Sequence, residues 1–155
     1  MTRVPYQQRS DDVPPLEALT VEEGVHEFTQ LAELCDALAT HLSGWSTDGA
    51  DPASSGAMAS LSTRLSEHAG WWRDRIPESV LLEEIRRDAS GSSRLSDVLA
   101  HLDVNPPDRI AAVGPILDDL VTHLLGLAKR MSSIGDGPAR RVVRLVLADL
   151  EDRPT

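Results

Sequence analysis

The stretch "IAAVGPILDDLVTHLLGLAKRM" (Ile110 to Met131) decides the fold. Ile110, Val113, Leu117, Leu120, Leu124, Leu127 and Met131 recur at alternating steps of three and four. That rhythm draws one apolar stripe down one face of a helix. Pro115 lies inside the stretch and removes one backbone donor, which predicts a kink or a late helix start. A stripe this narrow and sustained suits helices packed nearly parallel to one another.

Working outward, the same rhythm returns in three other places. Toward the N-terminus, "TVEEGVHEFTQLAELCDALATHLSGW" begins with Thr20 and Glu23 at capping-box spacing. Phe28, Leu31, Cys35, Leu38, Leu42 and Trp45 then form its stripe, and the helix is expected to stop near Ser43–Gly44. Residues 46–56 read as a loop by composition. A second helix carries Met58, Leu61, Leu65, His68 and Trp72 on one seam, with Ile76 just before Pro77. Toward the C-terminus, Asp136–Gly137–Pro138 is a helix-start signal ahead of Ala139, Val142, Val143, Val146, Leu147 and Leu150.

Between the second and third long helices lies "PESVLLEEIRRDA", expected as a short helix with Pro77 in its first turn. Its apolar residues are Val80, Leu81, Leu82 and Ile85. A loop over residues 90–93 and another short helix, ended by Asn105–Pro106–Pro107, complete the excursion. No strand-like alternation and no internal repeat is present. The expected fold is all-α: a four-helix bundle with a short helical excursion in the middle. Residues 1–19, polar and holding Pro5, Pro14 and Pro15, read as a flexible tail. Residues 20–150 read as one domain and 151–155 as a frayed end.

The totals agree with this class. The chain has 155 residues, 41% of them hydrophobic but only 3% aromatic, so the core must be built from Leu, Val, Ile and Ala. The net charge is −10. A surface so acidic repels phosphate backbones and anionic membranes, and neither is expected as a partner. The single cysteine, Cys35, allows no intramolecular disulfide. The opening "MTRVPYQQRSDDVPP" has no apolar signal core, and no uninterrupted apolar run approaches the ~18 residues of a membrane span. A cytoplasmic protein is expected.

Two stretches, His68 to Pro77 and Gly114 to Asp152, together resemble a ferritin-like family of high-GC bacteria. The likeness rests on His68–Ala69 ahead of the aromatics Trp71 and Trp72, and on the helix end Ile76–Pro77. It continues with His123–Leu124 on a proline-containing helix, then Asp136–Gly137–Pro138 with Arg141, running into Val146–Leu147–Ala148–Asp149. The resemblance implies a ferritin-like four-helix bundle and supplies no activity.

Di-iron bundles draw a Glu from each of two helices and a Glu-x-x-His from each of the other two. Here the one such motif is Glu23 to His26, and Glu23 is better used in the capping box. Glu33 lies opposite the first stripe and should face water. A di-iron centre is therefore expected to be absent. Asp119 and His123, like Asp97 and His101, are four apart and read as surface pairs. His68 lies on a seam, so its imidazole needs a partner: a carbonyl, a carboxylate, His123, water or a metal. The rival to a satisfied core histidine is a single divalent metal held by His68, His123 and Asp119.

Trp45, Trp71 and Trp72 are expected to fill one end of the bundle, with indole N–H groups reaching loops or water. The alternative is a ligand pocket formed by His68, Trp71 and Trp72. Arg140, Arg141 and Arg144 make a basic cluster on an acidic chain. It suits an anion or an acidic partner, although Arg140 and Arg144 are expected to pair with nearby acids. Cys35, on the first seam, reads as an inert buried thiol. No nucleophile triad, phosphate loop or zinc spacing appears. The expected role is a non-catalytic binding or interaction module needing no cofactor, meeting a protein partner or a second copy through a helix face. The alternative role is an atypical metal-dependent or small-ligand-binding protein with a site around His68 and His123.

Overall fold

The computed structural model describes residues 17–154. Among them are six α-helices and no strand: α1 (Val21–Thr47), α2 (Ser55–Arg73), α3 (Glu83–Ala89), α4 (Ser93–Asp103), α5 (Arg109–Arg130) and α6 (Gly137–Glu151). The four long helices are α1, α2, α5 and α6. The pair α1–α2 packs most extensively, α6 touches both α5 and α2, and α3 and α4 pack on α1. The expected stripes are the core: Leu38, Leu42, Leu65, Leu117 and Leu124 are all fully buried within one cluster.

Local chemistry sets the helix ends. The Thr20 hydroxyl accepts the Glu23 N–H at 3.1 Å and the Glu23 carboxylate accepts the Thr20 N–H at 3.3 Å, completing the capping box. Helix α1 runs past Gly44 to Thr47, beyond the expected stop. The Ser46 and Thr47 hydroxyls donate back to the carbonyls of Ser43 and Gly44, supplying partners to acceptors of the last turn. Helix α5 begins at Arg109 rather than late, because Asp108 accepts the Ala111 N–H at 3.0 Å. Pro115 and Ala111, the residue whose carbonyl the proline leaves without its helical donor, are both exposed, so the lost bond lies away from the core.

The excursion is less helical than expected. Pro77 does not open a helix; Ser79 caps a 3-10 turn over Val80–Leu82, and α3 starts only at Glu83. Val80 and Leu81 are exposed rather than part of the core. Glu33 does not face water freely: its carboxylate accepts the Ser90 hydroxyl and the Gly91 N–H, the latter at 3.0 Å. Gly91 has φ +66°, a conformation that favours glycine, so this clamp fixes the α3–α4 turn.

The tail expected over residues 1–19 lies outside the described residues up to residue 16. Its last part is tied down: the Leu19 N–H donates to the Arg130 carbonyl at 3.0 Å, and Arg130 Nε donates to the Glu17 carbonyl. Helix α5 is long and apolar enough to cross a membrane by length and composition. Its stripe of leucines nevertheless faces the other helices, and Asp118 and Asp119 stand exposed along its outer side.

Candidate functional site

Helix α2 carries His68 inward because its seam recurs at three and four residues, and the imidazole is fully buried. Its Nε2 lies 2.8 Å from Asp149 Oδ2 on α6. The other Asp149 oxygen accepts Arg64 Nη1 at 2.6 Å, one turn before His68 on α2. The partner settles the tautomer: Nε2 carries the proton and donates it to the carboxylate. Nδ1 is buried and has no partner among the described residues. Protonating it would strand an N–H in the interior. Burial accordingly pushes the His68 pKa below the ordinary value, and the hydrogen bond and charge of Asp149 pull it back only in part. His68 is a neutral, satisfied donor joining α2 to α6.

His123 is arranged in parallel on another seam. Its Nε2 donates to Glu27 Oε2 on α1 at 2.7 Å. That bond holds the Glu27 carboxyl below the usual range, against the opposing effect of burial. The pair borders a recess of about 30 Å³ with Leu31, Leu34, Leu95 and Leu120. This is space for one or two waters, far short of the roughly 300 Å³ of small-ligand pockets.

The residues singled out from sequence are therefore not brought together. His68 and His123 are each bonded to a separate carboxylate on a different helix pair, and Asp119 is exposed without a bond to His123. No three His, Cys, Asp or Glu side chains among the described residues converge as a metal site. Trp72 is fully buried and stacks on Phe28, ring centres 5.7 Å apart. Among the described residues its indole N–H reaches no loop group, because the seam holds the ring among carbon side chains. Of His68, Trp71 and Trp72, the one that faces an open concavity is Trp71.

Trp71 is half-buried and lies 5.2 Å from the His68 ring. Its outer side borders a groove of about 680 Å³ between the end of α2 and the start of α6. Arg75 stands on the α2 side; Arg141 and Arg144 stand on the α6 side, with Pro138, Val142 and Leu145 supplying carbon between them. No protein-family model, curated protein or solved structure matches the chain.

The groove's charge is what distinguishes it. Arg64, Arg73, Arg109, Arg130 and Arg153 each bind a carboxylate. Among the described residues, Arg86, Arg94 and Lys129 bind none, but Arg75, Arg140, Arg141 and Arg144, which also bind none, are the ones grouped at this end of the bundle; Arg140 and Arg144 do not make the expected pairs. Arg140 and Arg141 lie at or just past the first turn of α6, where the positive end of the helix dipole opposes cations, and Arg144 lies one turn further on. The acids of α6, Asp149 and Glu151, sit at the other end, equally against the dipole.

Sequence reasoning named His68, His123 and the arginine cluster but missed their settings. Asp149 was visible as an acid three residues past Val146, on the edge of the buried stripe Ala139, Val143, Val146 and Leu150. Glu27 was hidden beside the stronger signal of Glu23. Arg109 was missed altogether. It is buried at the start of α5, donating to Asp48, to Asn105 and to the Trp45 carbonyl, and lies 5.1 Å over the Trp45 ring.

Proposed function

We propose that the protein is a cytoplasmic, ferritin-like four-helix bundle without a di-iron centre that serves as a non-catalytic binding module. Its recognition surface is the groove between α2 and α6. One observation carries this reading: Arg75, Arg141 and Arg144 line the same concavity as Trp71 with no carboxylate pairing among the described residues, on a chain of net charge −10. Grouped and unpaired, they favour an anionic partner. The setting of His68 supports the non-catalytic part, since the ring is fully buried in the α2–α6 seam with its N–H taken by Asp149.

The bare Nδ1 of His68 favours a second reading, a single divalent metal or small ligand at an atypical site. Elemental analysis of protein purified without chelator separates the two. The binding-module reading expects substoichiometric metal. Stoichiometric iron, manganese or zinc, lost on His68→Ala, would replace it with the metal-site reading.

A further inference from the structure

Resting on that reading, we propose that the groove between α2 and α6 binds a short acidic peptide segment of a partner protein, with apolar side chains between its carboxylates. Three features narrow the ligand to this class. First, the charges are spread. Arg141 and Arg144 are about 4.5 Å apart along the α6 axis, from the 1.5 Å rise per residue, and Arg75, just past the end of α2, lines the same groove. Guanidiniums so close can converge on one phosphate, but a chain of carboxylates can meet each of them separately along the groove.

Second, the surface between the charges is carbon. Trp71, Val142 and Leu145 border the groove, and Leu145 is 42% exposed. Inorganic anions and nucleic-acid backbones gain nothing from it, whereas a leucine or phenylalanine does. The concavity is open and larger than one side chain, so it suits a segment laid along it rather than an enclosed small molecule.

Third, the wider field and Asp74 select against dense polyanions. Asp74 stands in the groove among the arginines, and the whole chain carries −10. A polyphosphate or oligonucleotide brings many charges into that field; a short peptide brings a few, each placed against an arginine. Carboxylates also accept paired guanidinium N–H groups in a matching planar geometry.

The test is fluorescence anisotropy on the full chain with a labelled short peptide alternating glutamate and leucine. Unlabelled competitors are inorganic phosphate, a single-stranded oligonucleotide and polyglutamate. The glutamate–leucine peptide should bind, weaken as salt rises, and lose about tenfold or more in affinity in the double variant Arg141→Glu/Arg144→Glu. Polyglutamate, a dense polyanion without apolar side chains, should compete poorly, and Trp71→Ala should weaken the glutamate–leucine peptide toward that level. Both variants alter groups that are exposed or half-exposed, and circular dichroism on each confirms that it folds. Competition by phosphate or oligonucleotide that matches the peptide and shares its sensitivity to the double variant would overturn the peptide assignment and leave the anion-binding module standing. Absence of groove-dependent binding by every one of these anions would overturn both. A dimer in sedimentation that the double variant dissociates would assign the groove to a second copy, again overturning the peptide.

Discussion

Helices α5 and α6 both carry arginine in their N-terminal halves, and the protein treats the two in opposite ways. At α5, Arg109 is enclosed. Asp48 neutralises it, Asn105 and the Trp45 carbonyl take further N–H groups, and the Trp45 ring covers it. At α6, Arg141 and Arg144 stand exposed, and no carboxylate among the described residues answers them. One start uses its cation to fasten α1 to α5; the other leaves its cations turned outward. Arg109 shows that an arginine near a helix start can be fully answered in this fold; those of α6 are not.

The largest expected effect breaks the enclosed end. Arg109→Met should lower the melting temperature by on the order of 10 °C, since Asp48 and Asn105 lose their donor and Trp45 its covering cation. It should leave peptide binding at the α6 groove intact. Thermal unfolding followed by circular dichroism checks the first part, and a shift of only a degree or two would mean that the two ends are energetically alike.

Next comes the bridge beneath the groove. Asp149→Ala removes the acceptor of a fully buried imidazole N–H and the partner of Arg64, and should cost about 1–3 kcal/mol in urea unfolding. His68→Leu, which removes the polar group instead of its partner, should cost less. The reverse order would show that the imidazole is valued for its shape rather than its bond.

The same histidine gives a dependence on pH. Its folded pKa is depressed below the ordinary 6.5, so the unfolded chain takes up its proton first as pH falls. The stability His68 contributes is therefore full above about 6.5 and lost as pH drops from there toward its folded pKa. Glu27, depressed below 4.5, adds a second loss below that value. Urea midpoints measured against pH should show both phases in the parent protein, with the upper one missing in His68→Leu. An upper phase that survives the substitution would place it on another group.

The smallest effect has an unusual sign. Arg140→Glu, outside the groove lining but in the first turn of α6, exchanges an opposed charge for a favoured one. It should stabilise the protein by about 0.3–1 kcal/mol, a rise of a few degrees in melting temperature. Destabilisation would reveal that Arg140 already has an anion of its own.

Periodicity made the helices legible because burying a carbon stripe is a property of spacing alone. The seam of α2 and the stripe of α5 lie where the three-four rhythm puts them, and the Thr20 capping box is local enough to be read from four residues. Most of what failed was decided across distance. The stop of α1 is the local exception, where the Ser46 and Thr47 hydroxyls fold back onto carbonyls of the last turn. Glu33 faces away from its own stripe, yet the α3–α4 turn comes to meet it. His68 announced that it needed a partner, but Asp149 is 81 residues away, and helical spacing carries no information about which seam will face which. The arginine cluster was visible; that its members would lack the expected partners was a matter of where α2 and α6 leave their acids.

Cys35 shows what such a filled interior does to reactivity. The thiol is fully buried and its pKa is pushed up to about 12, so thiolate is all but missing at neutral pH. Alkylating reagents and peroxides meet an unreactive atom behind a wall of leucines. Its modification must wait for the helices to part, which makes this one sulfur a built-in clock for how often the whole chain opens.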